Sequence, residues 1–139
     1  MTDGKRLARI HRVRTLQLGL AQADEARARE GLASETALSE RIGRLAAAVA
    51  PSSEVAGATA FAAAAHYRDR LHRSAEAAVN RVRVAQDAAD RTVAARQSAH
   101  RDQSAVEKLM ARATAAEIAV EIRAMQDAPT FRKVRHDPC

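Results

Sequence analysis

Residues 71–89, LHRSAEAAVNRVRVAQDAA, carry the pattern that decides the fold. Small and apolar residues recur along this stretch in alternating steps of four and three: Leu71, Ala75, Ala78, Val82, Ala85 and Ala89. A heptad repeat of this kind lays one seam along one side of an α-helix, where a second helix packs against it. Alanine has the highest helix propensity but buries little area. The pattern therefore predicts a long helix in a thin interface.

The same spacing extends outward from this stretch in both directions. Towards the C-terminus it crosses a weaker segment at Thr92, Arg96 and Gln103, and then resumes at Val106, Met110, Ala113, Val120 and Ala124. In the first part of the chain it is carried by Leu38, Ile42, Leu45 and Val49. Traced backwards from there, it passes through Leu7, Ile10, Arg14, Gln17 and Ala21. Two heptad seams in one chain predict two helices that pack together.

The break between the helices is predicted at Pro51-Ser52-Ser53, because proline disfavours helical geometry in the residue before it. The predicted fold is all-α, an antiparallel coiled-coil hairpin over residues 1–128. Helix 1 is expected over about 5–49, the turn over about 50–57 and a longer helix 2 over about 58–127. The basic segment 129–139, which begins with a proline, is expected to be a disordered tail.

A tight turn predicts which residues face each other across the hairpin. The numbers of facing residues should add up to 103–114, so Leu7 should face a residue near 96–107. Helix 2 should then extend past helix 1 by about 20–30 residues. Isolated helices are marginal in water, so this overhang is expected either to bind a partner protein or to fray.

Composition argues against an enzyme. The 139 residues are 47% hydrophobic but only 2% aromatic, so large side chains are too few to fill a layered core. The chain contains no HExxH or CxxC pair and neither of the glycine-rich nucleotide loops, and its single cysteine is the last residue. We therefore predict a non-enzymatic protein with no metal site, no cofactor and no small-molecule ligand.

The net charge of +6 suits an acidic partner. Nucleic acid is an unlikely one, since three scattered aromatic residues cannot form a base-stacking platform. Many basic residues also alternate with acidic ones, as in residues 24–30, DEARARE, which is interpreted as a solvated ion-pair surface. No apolar stretch is long enough to span a membrane. Two functions stay open at this point: a basic nucleoid-type DNA-binding protein and a generic cytoplasmic coiled-coil scaffold.

The start of helix 1 has apolar residues on two sides. Besides the seam, Val13, Leu16 and Leu20 lie together at helical spacing on another side. Either this second stripe is a surface for a partner, or the seam drifts around the helix because 3.6 does not divide seven.

Three segments resemble the FliJ family of flagellar export proteins, which is related to the stalk proteins of virulence type III secretion. They are KRLARIHRVRTLQLGLAQADEARA at 5–28, HYRDRLHRSAEAAV at 66–79 with its aromatic-x3-Leu pattern, and SAVEKLMARATAAE at 104–117. The resemblance implies a non-catalytic stalk and adaptor of the export apparatus. Its partners would be the hexameric export ATPase, the cytosolic part of the export gate in the membrane, and export chaperones. It would be cytoplasmic and peripherally associated with the inner membrane at the flagellar base.

The resemblance also implies a gate contact, and the geometry and charge of the hairpin predict an ATPase-ring contact. The gate contact would be a stripe at the start of helix 2, formed by Tyr67, Leu71, Ser74 and Ala78. The same stripe could instead belong to the seam between the two helices. The ATPase-ring contact would lie where the start of helix 1 meets late helix 2. It would combine a basic set, Arg9, Arg12, Arg14, Lys108 and Arg112, with an apolar set, Val13, Leu16 and Leu20.

Overall fold

The computed structural model describes residues 2–49 and 57–128, which form two helices. Helix α1 spans Thr2–Ala48 and helix α2 spans Ala58–Asp127, 47 and 70 residues long. They run antiparallel and pack against each other, as the side-chain pairs His11–Glu107 and Glu35–Arg81 show. The predicted all-α hairpin with a longer second helix is confirmed. Most of the predicted turn and the predicted tail, 129–139, lie outside the described residues.

Both helix ends next to the turn have simple backbone causes. The N–H of Val49 donates to the carbonyl of Leu45 at 3.3 Å, which closes the last turn of α1. Gly57 precedes α2 with φ of 106°, a conformation that only glycine adopts at little cost. Its carbonyl accepts the N–H of Phe61 at 3.2 Å, and α2 starts from there.

The seam of α2 follows a strict heptad from one end of the paired region to the other. The buried and half-buried positions in steps of four and three are Ala64, Arg68, Leu71, Ala75, Ala78, Val82, Ala85, Ala89, Thr92, Arg96, Ala99, Gln103, Val106, Met110 and Ala113. The prediction is confirmed from Leu71 to Ala113, including its polar positions. It is wrong for Val120 and Ala124, which are exposed because α1 no longer covers them.

The seam of α1 is equally regular. The prediction is confirmed for Leu7, Arg14, Ala21, Ile42 and Val49, and it is wrong for Ile10, Gln17, Leu38 and Leu45. Its half-buried or buried positions are Leu7, His11, Arg14, Leu18, Ala21, Glu25, Ala28, Leu32, Glu35, Ser39, Ile42, Ala46 and Val49. Leu38 and Leu45 were placed in the seam, yet they are 41% and 51% exposed, and their neighbours Ser39 and Ala46 face α2. Ile10 and Gln17 were assigned to the seam with the same one-residue error and are also exposed.

The register differs from the predicted one by several residues. His11 lies 3.1 Å from Glu107, Arg14 lies 3.0 Å from Asp102 and Arg81 lies 3.1 Å from Glu35. The numbers of these paired residues add up to 116–118, and those of the fourth cross-helix pair, Glu25 and Arg96, to 121, all above the predicted 103–114. The cause is at the turn: α2 begins beyond the end of α1, and its residues 58–63 are exposed.

Two further predictions change with the register. Leu7 lies opposite the region of Met110 and Ala113 rather than residues 96–107. The uncovered end of α2 is residues 114–127, all exposed, which is shorter than the expected 20–30 residues. Neither described helix is long and apolar enough to cross a membrane.

Candidate interaction surfaces

The end of the hairpin formed by the start of α1 and late α2 has an exposed basic surface. Arg9 and Arg12 of α1 and Lys108 and Arg112 of α2 are all exposed. Within residues 2–49 and 57–128 none of these four takes part in an ion pair. Their charges are therefore available to an acidic partner.

Arg14, predicted to belong to the same contact, has a different role. It occupies a seam position and its guanidinium pairs with Asp102 across the helices and donates a hydrogen bond to the side-chain amide oxygen of Gln17 at 2.9 Å. Since its charge is already paired inside the hairpin, Arg14 is less suited to a ring contact than Arg9 or Arg12. Sequence spacing had grouped all three because the register was not known.

The apolar residues beside this basic surface form a stripe separate from the seam. Val13, Leu16 and Leu20 are 53%, 64% and 65% exposed. The seam itself continues in unbroken heptads from Leu7 to Val49. Drift of the seam therefore does not account for the second stripe, and its side chains remain accessible to another molecule.

The predicted gate stripe is divided between the surface and the interior. Tyr67 is 55% exposed and Ser74 is also exposed, whereas Leu71 is half-buried. Ala78 is 0% exposed, because α1 covers it. A partner cannot touch Ala78 while the hairpin is closed, so its assignment to a gate contact is corrected to the seam.

A buried ion cluster lies at the middle of the seam, and sequence analysis missed it. Glu25 is 4% exposed and pairs with Arg96 across the interface and with Arg29 one turn away on α1. The segment 24–30 had been interpreted as a solvated surface. A heptad anchored on Leu18 and Leu32 instead of on Leu38 would have placed Glu25 in the seam.

The remaining chemistry of the described residues is limited. Among them, no three His, Cys, Asp or Glu side chains come close enough to hold a metal ion. The grooves along the hairpin are open to solvent, and one of them is lined by Leu20, Ala88 and Ala95. Such surfaces are suited to contacts with other helices.

Comparison of the chain with protein-family models, curated proteins and solved structures found no match. The surfaces above are therefore interpreted from their own residues.

Proposed function

We propose that this chain is a non-enzymatic stalk and adaptor of a flagellar type III export apparatus, as its resemblance to the FliJ family implies. The observation that carries the proposal is the end of the hairpin where α1 begins. There an exposed basic set lies beside an exposed apolar stripe on a rigid helical rod. In this proposal the protein acts in the cytoplasm, at the inner membrane beneath the flagellum.

The length of the rod supports a linking role. At 1.5 Å per residue, the 70 residues of α2 make a rod of about 105 Å. Tyr67 and Arg112 lie near its two ends, roughly 65 Å apart on α2 by the same rise. One end can therefore occupy a hexameric export ATPase while the other reaches the cytosolic part of the gate or a chaperone.

The two components of the basic end have different roles in the proposed ring contact. Arg9, Arg12, Lys108 and Arg112 provide a positive field that speeds association with an acidic ring lumen. The stripe of Val13, Leu16 and Leu20 provides apolar area that is buried once the rod has entered, which slows dissociation.

At the opposite end, the proposed gate contact is reduced to the residues that a partner can reach. These are Tyr67 and Ser74, with the exposed edge of Leu71 between them. A tyrosine that is half exposed on a helix is a common anchor of protein interfaces, because it offers a large ring and one hydroxyl.

Charge reversal at the start of α1 tests the ring contact. We expect Arg9→Glu/Arg12→Glu to weaken binding to the cognate export ATPase by at least about tenfold and to flatten the salt dependence of the association rate. Binding is measured by titration of the labelled hairpin, and ATPase turnover is measured with and without it. The helix content should stay unchanged, since neither arginine forms a described ion pair.

A matched control exists on the same helix. Arg41 and Arg44 have the same spacing and are also exposed, but they lie near the other end of α1. Arg41→Glu/Arg44→Glu should leave ATPase binding within about twofold of the unchanged protein, because exposed charges farther apart than a Debye length are screened. Equal loss in both variants, or no loss in the first, would contradict the ring contact.

A further inference from the structure

The exposed large apolar residues of the paired region are concentrated on one side of the hairpin. Six of them define what we call the apolar band: Ile10, Val13, Leu20, Leu38, Leu45 and Val84. In the observed heptads each lies immediately before a seam position, as Leu38 precedes Ser39 and Leu45 precedes Ala46. Tyr67 and Leu109 occupy the equivalent positions of α2 near its two ends. The band thus reaches both ends of the hairpin. On α1 it is interrupted between Leu20 and Leu38, and Val84 of α2 lies opposite this gap.

The opposite side of the hairpin is polar. There His11 bonds Glu107 at 3.1 Å, and the amide of Gln103 donates to the hydroxyl of Thr15 at 3.3 Å. Val79 is the large exposed apolar residue on this side, beside His72 and Glu76. The asymmetry matters because scattered exposed apolar residues need no explanation, whereas a contiguous patch marks an interaction site.

The middle of the band is a shallow groove between the helices. Leu20 forms one wall, and Ala88 and Ala95 of α2 form the other. The groove continues along α2 to Val84, where Glu35 and Arg81 border it. The small seam residues Ala21 and Thr92 lie between these walls, and such a groove can receive the ridge of another helix.

The hairpin alone has little core to sustain it. Its buried hydrophobic residues in the described part of the chain are Ala78, Ala89 and Val106. Helices with only two apolar positions per heptad form two-stranded coils, and a third apolar position is typical of helices that enter larger bundles.

We propose that a second copy of this chain covers the apolar band, so that two hairpins form a four-helix bundle. The band is roughly 50 Å long from Ile10 to Leu45 and about 15 Å wide across two helices. That is about 800 Å² per partner, the amount that a stable interface needs. A partner that covers the whole band must be a pair of helices of the same length with matching heptads. A second copy of this chain meets that requirement.

The charges on the band side have both signs, with arginines in excess. Asp24, Arg27 and Arg91 lie near its middle, and Arg41 and Arg70 hold the same heptad positions nearer one end. Arg81 and Asp102 on this side are already paired within the hairpin. The like charges left between two copies lie at the exposed surface, where salt screens them. The proposal does not depend on the export role, although Val13 and Leu20 belong to both surfaces. If both hold, ring entry requires the two hairpins to separate.

Two valines on α2 form a matched pair for the test. Val84, in the band, is 61% exposed and Val79, on the polar side, is 60% exposed. Sedimentation equilibrium of the full chain, carrying Cys139→Ser to prevent disulfide-linked dimers, should show twice the 15.0 kDa mass at high concentration. Val84→Gln should raise the dimer dissociation constant by about tenfold or more, and Val79→Gln by less than about twofold.

Unfolding gives a second readout that remains valid if a variant is unstable. The thermal midpoint of the unchanged chain should rise with protein concentration, because dimerisation stabilises the folded state by mass action. In Val84→Gln the thermal midpoint should begin to rise only at a higher protein concentration. A mass of 15.0 kDa at every concentration, a midpoint independent of concentration, or equal effects of the two valine variants would overturn the proposal.

Discussion

Replacing Arg96 by methionine should lower the free energy of unfolding of the hairpin by about 2–3 kcal/mol. The variant leaves the carboxylate of Glu25, 4% exposed, inside the seam with Arg29 as its remaining partner. Arg29 is itself largely exposed, so water competes with the Glu25 carboxylate for its charge. Methionine keeps the unbranched apolar stem of arginine and removes the guanidinium, so most of the loss reports the missing charge.

Urea unfolding followed by helical circular dichroism, at one fixed protein concentration, measures this loss. Arg83→Met is the control, because Arg83 is an exposed arginine of the same helix, outside the apolar band and with no ion pair within the described residues. We expect the control to stay within about 0.5 kcal/mol of the unchanged chain. If the two variants are equally stable, the buried ion cluster contributes nothing to the fold.

The double variant Glu25→Leu/Arg96→Leu separates stability from register. Apolar residues in place of a buried ion pair are often neutral or stabilising, so unfolding should return to the unchanged value or exceed it. A polar group at a seam position also selects one alignment of the helices, and that selection should be lost. The register is measured with cysteines in place of His11 and Glu107, in a chain lacking Cys139. Their disulfide should form more slowly in the double variant than in the otherwise unchanged hairpin.

Enlarging Ala78 to phenylalanine should also destabilise the hairpin, by about 1–3 kcal/mol. The side chain of Ala78 is 0% exposed, and the register of Glu35 and Arg81 brings the small residue Ser39 opposite it. The helices therefore lie close together at this point. The phenyl group of phenylalanine fits between them only if the helices move apart, which loses packing contacts on both sides.

Ala94→Phe is the control, because Ala94 is an exposed alanine of the same helix that belongs neither to the seam nor to the apolar band. It should change the free energy of unfolding by less than about 0.5 kcal/mol. An Ala78→Phe chain that is as stable as the control would show that the helices separate without cost.

The variant also bears on the proposed gate contact. Tyr67→Ser should weaken gate binding with the fold intact, whereas Ala78→Phe should affect gate binding only through unfolding.

Some features of the chain could be predicted because they depend on local sequence. The absence of proline between residues 5 and 49 and between 58 and 127 allows two long helices, and Pro51 separates them. The seam of α2 was found because alanine and valine at heptad spacing leave one side of that helix clearly less polar than the others. Its polar positions, Thr92, Arg96 and Gln103, were located correctly by continuing the same count.

The proposed sites were harder to predict, because they depend on which side of α1 meets α2. The exposed fractions of Val13, Leu16 and Leu20 agree with a partner surface, while Ala78 and Arg14 turned out to serve the hairpin itself. Sequence spacing places residues on one face of a helix, but it does not say whether another helix already covers that face.

The sequence by itself determined the helical content, the antiparallel pairing, the greater length of α2 and the line along which α2 packs. Only the tertiary structure decided the register and every second position of the α1 seam. Two heptad counts share Ile42 and Val49, and the one that adds Leu38 and Leu45 is the more hydrophobic. The small residues Ser39 and Ala46 face α2 instead, because an alanine-rich seam brings the helices close together. In that register Glu25 meets Arg96, and the larger leucines remain outside on the apolar band.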